Sequence, residues 1–167
     1  SLKEVLDDLR ALDPEGALLV VDDGSTDGTG DIARGSGVDV VTHDTNLGKG
    51  RALKTGFAWL AERGFETAVT VDADGQHRAI DAVMLAKHSA SHRAIVLGIR
   101  DMKRAGAPGA SQFSNRFSNW WVSRFAGQEL SDTQCGLRRY PLLATLDLGS
   151  DARGYGFECD ILVRAAR

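Results

Sequence analysis

The sequence is poor in cysteine and proline and has no excess of positive charge. The spacing of its two cysteines, Cys135 and Cys159, fits no zinc motif and no disulfide framework, so we expect two reduced thiols in a cytosolic protein. With three prolines in 167 residues, no proline-rich linker is present. The formal net charge of -3 gives no basic footprint, which argues against nucleic acid as a partner.

Long apolar runs are also absent. No stretch approaches the roughly 20 apolar residues that a membrane-spanning helix needs, and no signal peptide is visible. The hydrophobic fraction of 43% and the charged fraction of 26% are those of an ordinary globular protein. A chain of 167 residues suits one domain. We therefore expect a single globular domain over residues 1–167.

Strand-like and helix-like segments alternate along the chain. Apolar runs at 17–21, 38–41, 67–71 and 94–97 predict strands, and the segments between them carry apolar residues at helical spacing. This alternation predicts an α/β fold, with a mostly parallel sheet covered by helices on both faces. The pattern lacks a first strand ahead of the helix that starts at Ser1, so we expect the domain to be incomplete at both ends.

Two segments of the second half carry further predictions. Residues 101–110 are rich in alanine and glycine and contain a proline, which predicts a mobile loop. Residues 111–125 predict a helix with a large aromatic face. We expect Trp120 and Trp121 on this face to pack in the core; the alternative is that they border a lipid acceptor.

Charged side chains follow three of the predicted strands. Asp22 and Asp23 come after the first strand, Asp72 and Asp74 after the third, and Arg100 after the fourth. In an open α/β sheet, ligands bind beyond the carboxyl ends of the strands. We therefore expect these five residues to share one site.

The paired carboxylates at this edge predict a divalent metal ion. Like charges about 4 Å apart repel by about 1 kcal/mol in water, and by more when they are partly desolvated. Mg²⁺ or Mn²⁺ would remove this repulsion, because both prefer oxygen ligands and usually also bind substrate phosphates. We assign Asp72, Asp74 and Gln76 as metal ligands. The alternative for these acids is a solvated turn with a capping aspartate.

The same residues lie in motifs that resemble family 2 glycosyltransferases of the GT-A fold. The matching segments are VDDGSTD at 21–27, NLGKG at 46–50, DADGQ at 72–76, GIR at 98–100 and SDTQCGLR at 131–138. The last segment resembles the acceptor-side motif of the polyprenyl-phosphate branch, the dolichyl-phosphate mannose and glucose synthases. The resemblance covers nearly the whole chain and implies a GT-A, Rossmann-like domain.

The resemblance implies an inverting transfer of a sugar from a UDP- or GDP-sugar to an acceptor such as a polyprenyl phosphate. Asp22 or Asp23 would contact the base or ribose, and Lys49 would lie near the sugar-nucleotide. Arg100 and Arg138 would face the donor diphosphate or the acceptor phosphate, since a guanidinium fork suits paired oxygens. Such an enzyme would act in cell envelope biogenesis, as a peripheral protein at the inner face of the cell membrane.

The role of Asp132 depends on the acceptor. A hydroxyl acceptor needs a general base, and Asp132 is the best candidate for it. A phosphate acceptor is already anionic, so Asp132 would then only position other groups or pair with an arginine. Glu158 and Asp160 open the last predicted helix, where they either reach the site or merely suit the helix dipole.

Four other functions compete with this interpretation. One is a glycosyltransferase acting on a saccharide hydroxyl in cell-envelope polysaccharide synthesis, although the Gln-x-x-Arg-Trp signature of processive synthases is absent. Another is a non-catalytic nucleotide-sugar-binding domain. A sugar-phosphate nucleotidyltransferase would need an N-terminal glycine-rich phosphate loop, which the chain lacks. A haloacid-dehalogenase-type phosphatase would need Thr or Val where Gln76 stands.

Overall fold

Strands and helices alternate along the first hundred residues, as the sequence predicts. The structure is a computed structural model that describes residues 1–73, 77–91, 93–100, 109–152 and 154–167, and only the backbone of 109–114. In these ranges the elements are α1 Leu2–Leu12, β1 Leu19–Asp22, α2 Thr29–Gly35, β2 Asp39–Thr42, α3 Lys49–Glu62, β3 Thr67–Thr70, α4 Ala79–Ala86, β4 Val96–Leu97, α5 Gly109–Ala126, β5 Arg138–Pro141, α6 Leu142–Asp147 and α7 Gly156–Ala165. Most of the loop predicted at 101–110 lies outside the described residues, as do Asp74 and Gln76.

The first two strands form a parallel pair. β1 and β2 run in the same direction, with Asp22 at the end of β1 opposite Thr42 at the end of β2. Helix α2 makes the crossover between them, which parallel strands require. This pairing brings Asp23, where the turn after β1 begins, next to His43, which is the first residue after β2.

The other three strands form an antiparallel sheet. β5 lies between β3 and β4 and runs antiparallel to both, so β3 and β4 run in the same direction. We expect a mostly parallel sheet from the sequence, and β5 is the departure from it. All four β5 residues are buried, yet the segment begins with two arginines and carries no apolar alternation that predicts a central strand. Because β5 starts where β3 and β4 end, segment 131–137 returns to the edge where ligands are expected.

Helices cover both faces of this sheet, as predicted. On one face, Phe57, Tyr140, Leu142, Phe157 and Ile161 form a fully buried cluster. The rings of Phe57 and Tyr140 lie 4.9 Å apart between centroids. A second buried cluster, made by the α4 residues Ala82 and Leu85 with Cys135 and Leu137, packs on the other face. Both cysteines are free thiols, which agrees with the prediction from their spacing.

An apolar cleft of about 530 Å³ lies between the two sheets. β1 and β3 form its sides, and α1 contributes apolar side chains to its lining. Within the described residues, β1 is hydrogen-bonded to a strand only along its β2 edge and β3 only along its β5 edge. The cleft therefore presents two strand edges and an apolar lining.

Four aromatic rings of α5, those of Phe117, Trp120, Trp121 and Phe125, do not lie in the core. Trp120 is 59% exposed and Trp121 is 42% exposed, so the prediction that they pack in the core is wrong. The opposite face of the helix carries the buried Val122 and the half-buried Asn119, whose side chain accepts a hydrogen bond from the Thr133 N–H at 2.8 Å. Polar bonds to the loop before β5 therefore orient this helix and leave its rings on the surface.

We predict a large stability difference between two adjacent leucines of α6. Leu142 is fully buried beside Tyr140, whereas Leu143 is 66% exposed. Leu142→Ala should lower the free energy of unfolding by about 2–5 kcal/mol, because it leaves a cavity in the core. Leu143→Ala makes the same chemical change in the same helix and should cost less than about 0.5 kcal/mol. Urea unfolding followed by circular dichroism measures both, and equal losses would contradict the packing.

Candidate active site

Four segments meet at one edge of the antiparallel sheet. β3 and β4 end there and β5 begins there, since Thr70 and Leu97 both lie opposite Arg138. The Thr70 hydroxyl donates to the Gly136 carbonyl at 2.7 Å and fastens the loop before β5 to the end of β3. Lys49, the first residue of α3, reaches the same edge.

Lys49 lies between two carboxylates. Its Nζ is 2.8 Å from Oδ1 of Asp72, just beyond β3, and 3.2 Å from Oε2 of Glu158, in the first turn of α7. Burial lowers the pKa of Lys49, but the hydrogen bond to Asp72 and the charge of Glu158 outweigh it, so the pKa is raised overall. The ammonium is therefore fully charged at neutral pH, and the partly exposed Asp72 carboxylate faces it.

Glu158 is a site residue whose role the sequence left undecided. It is buried, and its Oε1 has no hydrogen-bond partner among the described residues. This oxygen lies 3.8 Å from Nη2 of Arg138, and the other carboxylate oxygen contacts Lys49. Asp160, the second acid of the same helix, pairs instead with Arg164 at 2.6 Å. Of the two acids, Glu158 is the one that reaches the site.

Arg100 and Asp132 form a bidentate ion pair beside this cluster. Nε and Nη2 of Arg100 donate to the two carboxylate oxygens at 2.9 and 3.0 Å, and the Arg100 backbone N–H donates at 3.1 Å. Burial raises the pKa of Asp132, but the bonds from Arg100, assisted by Asn115, outweigh it and hold the pKa below its usual value. A buried carboxylate with a low pKa and two engaged oxygens is a weak base.

Arg138 lies in the interior, at the start of β5. It is fully buried, and its guanidinium donates to the backbone carbonyls of Cys135, Glu158 and Thr133 at 2.7, 2.8 and 2.8 Å. This placement does not match the expectation that Arg138 faces a phosphate. In this structure the side chain holds the loop before β5 against the first turn of α7.

Asp22 is the last residue of β1, and Asp23 follows it. Asp22 is buried and accepts one backbone N–H from the turn that follows it. Asp23 contacts His43 Nδ1 at 2.7 Å and accepts the backbone N–H groups of Leu47 and Gly48 at 2.9 and 2.7 Å. Asp23 thus holds the loop that leads to Lys49, and Asp22 supports the turn that follows β1.

The carboxylate of Asp23 is anionic despite its surroundings. Burial raises its pKa, but the contact with His43 and the bonds from the loop N–H groups outweigh burial and lower the pKa. The other ring nitrogen of His43 lies 3.0 Å from the hydroxyl of Thr55 in α3, so His43 bridges Asp23 and α3. The sequence interpretation missed His43, although its position directly after a strand was a usable signal.

The predicted metal site is represented by one ligand. Asp72 presents a partly exposed carboxylate at the end of β3, and oxygen ligands of this type suit Mg²⁺ or Mn²⁺. Asp74 and Gln76 lie outside the described residues. Among the residues that the structure describes, no three His, Cys, Asp or Glu side chains converge on a common metal position. Metal binding therefore stays a prediction.

Sequence comparisons point to one enzyme family. Residues 1–140 match the family described as Glycosyl transferase family 2. The chain is 34% identical over 184 residues to an undecaprenyl-phosphate mannosyltransferase of Micrococcus luteus, and the alignment covers 100% of this chain and 73% of that relative. It is 32% identical over 169 residues to a polyprenol monophosphomannose synthase of Mycolicibacterium smegmatis, with 91% of this chain and 62% of that relative covered.

Solved structures give the same fold. Glucosyl-3-phosphoglycerate synthase from Mycobacterium tuberculosis, in complex with Mn²⁺, UDP-glucose and phosphoglyceric acid, is similar with a TM-score of 0.71 at 22% identity, over 96% of this chain and 58% of that chain. Mannosyl-3-phosphoglycerate synthase from Rubrobacter xylanophilus has a TM-score of 0.69 at 18% identity, over 95% and 54%. At these identities the likeness concerns the fold, and the chain spans little more than half of either structure.

The comparisons confirm the resemblance that the motifs carry. The family match and the relatives above 30% identity establish the enzyme class, and the two solved structures establish the architecture. The chain belongs to the family 2 glycosyltransferases, has the GT-A fold, and resembles the branch that includes polyprenyl-phosphate sugar synthases.

Proposed function

We propose that this chain is the catalytic domain of an inverting, metal-dependent enzyme that moves a sugar from a UDP- or GDP-sugar to a polyprenyl phosphate. The observation that carries the proposal is the position of Lys49 between Asp72 and Glu158, at the edge where the strands end. Two relatives support the acceptor class through their names, undecaprenyl-phosphate mannosyltransferase and polyprenol monophosphomannose synthase.

The charges of the site favour binding of a diphosphate together with a metal ion. Among the described residues, three cations and three carboxylates lie in ion pairs there: Lys49, Arg100 and Arg138 with Asp72, Asp132 and Glu158. A donor diphosphate is a dianion and Mg²⁺ is a dication, so the two together add no net charge to this set of residues. Either one alone would leave an uncompensated charge in a partly desolvated place, which is costly.

Lys49 is the donor-side cation of this proposal. Its ammonium is held by Asp72 and Glu158, so it is already oriented at the site. Asp72, with Asp74 and Gln76, would hold the metal ion, which stabilises the leaving diphosphate when it is bound. With Asp72 engaged by such an ion, Lys49 would stay paired with Glu158 and would be placed to contact a diphosphate oxygen. Contact with the base or ribose is assigned to the turn that begins at Asp22.

Asp132 is a positioning residue in this proposal. It fixes the partly exposed guanidinium of Arg100, which can then contact the acceptor phosphate with its remaining N–H groups. A phosphate acceptor needs no general base, whereas a saccharide hydroxyl does. Asp132 is buried, and both of its carboxylate oxygens accept hydrogen bonds from Arg100. It therefore fits a phosphate acceptor better than a hydroxyl acceptor.

We predict that Asp132 contributes to the acid sensitivity of folding. Its folded-state pKa lies below the unfolded value of about 3.9, so the stability it contributes is present above that pH and is lost as the pH falls through the folded-state pKa. Asp132→Asn removes this titration, so its unfolding free energy should fall less steeply below about pH 4 than that of the wild type. Urea unfolding at a series of pH values from neutral to acid measures the slope. A wild-type slope in Asp132→Asn would contradict the ion pair.

We predict metal-dependent binding of UDP or GDP. Calorimetric titration should show tight binding with Mn²⁺ and weak binding after chelation. Lys49→Met should weaken binding by about tenfold or more, since a hydrogen bond to a charged group contributes about 1.5–3 kcal/mol. Asp72→Asn should weaken the dependence on Mn²⁺. Lys87→Met, which changes an exposed lysine outside the site, is the matched control and should bind like the wild type. Binding that ignores both Mn²⁺ and Asp72→Asn would reject the donor site.

We predict a polyprenyl phosphate as the acceptor, and a panel of nucleotide sugars crossed with different acceptors tests this prediction. The expected product is a polyprenyl phosphosugar, identified by its mass, with the anomeric configuration inverted in its NMR spectrum. Transfer to saccharide hydroxyls but never to a prenyl phosphate would support the polysaccharide alternative. Binding of a donor without transfer to any acceptor would support a non-catalytic binding domain.

A further inference from the structure

One face of helix α5 carries aromatic rings and arginines and no acidic residue. We call it the α5 outer face; it consists of Arg116, Phe117, Trp120, Trp121, Arg124 and Phe125, all of which are exposed. These positions recur in adjacent pairs every four residues, which places them in one stripe along the helix. The whole helix, residues 109–126, contains two arginines and no Asp or Glu. Its charge is therefore opposite in sign to the net charge of -3 of the chain.

The four rings form a continuous apolar patch. Trp121 lies at the centre, with its ring centroid 4.8 Å from that of Trp120, 5.8 Å from Phe125 and 6.2 Å from Phe117. Aromatic surface of this extent is rarely left exposed without a binding role. The rings pack on each other on the surface, so they form a preformed patch.

The inner face of the same helix holds the acceptor-side loop. The Asn119 amide donates to the Ser131 carbonyl at 2.6 Å and accepts the Thr133 N–H at 2.8 Å. The hydroxyls of Ser118 and Thr133 are 3.1 Å apart. Asp132 lies between these two anchored residues, so any surface that contacts the outer face is one helix away from the Arg100–Asp132 pair.

We propose that the α5 outer face docks on the headgroup region of an anionic phospholipid bilayer. Trp and Phe rings partition into this region, and arginines on the same face meet anionic headgroups while their stems stay against apolar surface. Charge complementarity selects this occupant, because the only charged residues of the helix are Arg116 and Arg124. Among the described residues, no helix has the length and apolar character to cross a membrane.

The inference rests on the proposed function and deepens it. A polyprenyl phosphate is anchored in the bilayer by its chain, so its phosphate is presented at the headgroup level. Docking through α5 would bring the loop with Asp132, and Arg100 paired to it, close to that level. In the proposed function, the charged residues around Lys49 bind the soluble donor and need no membrane. Donor binding and membrane docking can therefore be tested separately.

The test is sedimentation of the protein with phosphatidylcholine vesicles, with and without phosphatidylglycerol. We expect binding to the anionic vesicles, weaker binding to pure phosphatidylcholine, and loss of the difference at high salt. Trp120→Ser combined with Trp121→Ser should lower the vesicle partition coefficient by about tenfold or more. Arg116→Ala combined with Arg124→Ala should lower binding to the anionic vesicles alone. Leu143→Ser, which changes an exposed leucine outside this face, should bind like the wild type.

Four measurements separate the outcomes. Circular dichroism and Mn²⁺-dependent UDP binding of the tryptophan variant should match the wild type, since both rings are exposed. Vesicle binding that the variant retains in full, or that the wild type lacks, would overturn the proposal. So would a concentration-dependent dimer that the tryptophan substitutions abolish, because a second copy would then cover the face. Absence of UDP binding in every variant, with intact vesicle binding, would reject the proposed function and leave the docking surface standing.

Discussion

The buried guanidinium of Arg138 is the interaction on which the site depends. A charge in the interior is costly unless it is paired and hydrogen-bonded, and here three backbone carbonyls and the nearby Glu158 carboxylate satisfy it. Two of the carbonyls belong to the loop before β5 and the third to the first turn of α7. One side chain thus fixes the loop that carries Asp132 and the helix that presents Glu158 to Lys49.

A second set of contacts, made at the end of β1, fixes the loop that leads to Lys49. Asp23 accepts two backbone N–H groups of the loop at 46–50 and contacts His43, so the loop is fixed one residue before Lys49. Lys49 is then held at its other end by Asp72 and Glu158. The lysine therefore connects the β1 side of the molecule to the β3 side, and its orientation is set before any substrate binds.

Much of the fold was accessible from the sequence because it depends on local patterns. Apolar runs gave the strands, helical spacing gave the helices between them, and acids at strand ends gave Asp72 at the sheet edge. β5 was not accessible in this way, since two of its four residues are arginines whose burial depends on partners distant in the sequence.

The site was predicted in its residue types more than in its contacts. Lys49 and Asp72 come together, and Arg100 lies beside Asp132, but which carboxylate pairs with which cation depends on the direction of β5 and the start of α7. The same limit applies to α5. A stripe of aromatic residues predicts a buried face by composition, whereas the polar contacts of Asn119 and Ser118 with the loop turn the opposite face inward.

The antiparallel direction of β5 connects the two proposals. Because β5 starts at the ligand edge, the loop before it has one side on Asp72 and Arg100 and the other on α5. The donor cluster is held by Lys49 on the first side, and the α5 outer face lies beyond the second. In a parallel arrangement this strand would end at the ligand edge, and the segment before it would lie at the far end of the sheet. If both proposals hold, a soluble donor and a bilayer-bound acceptor would approach the same short loop from opposite sides.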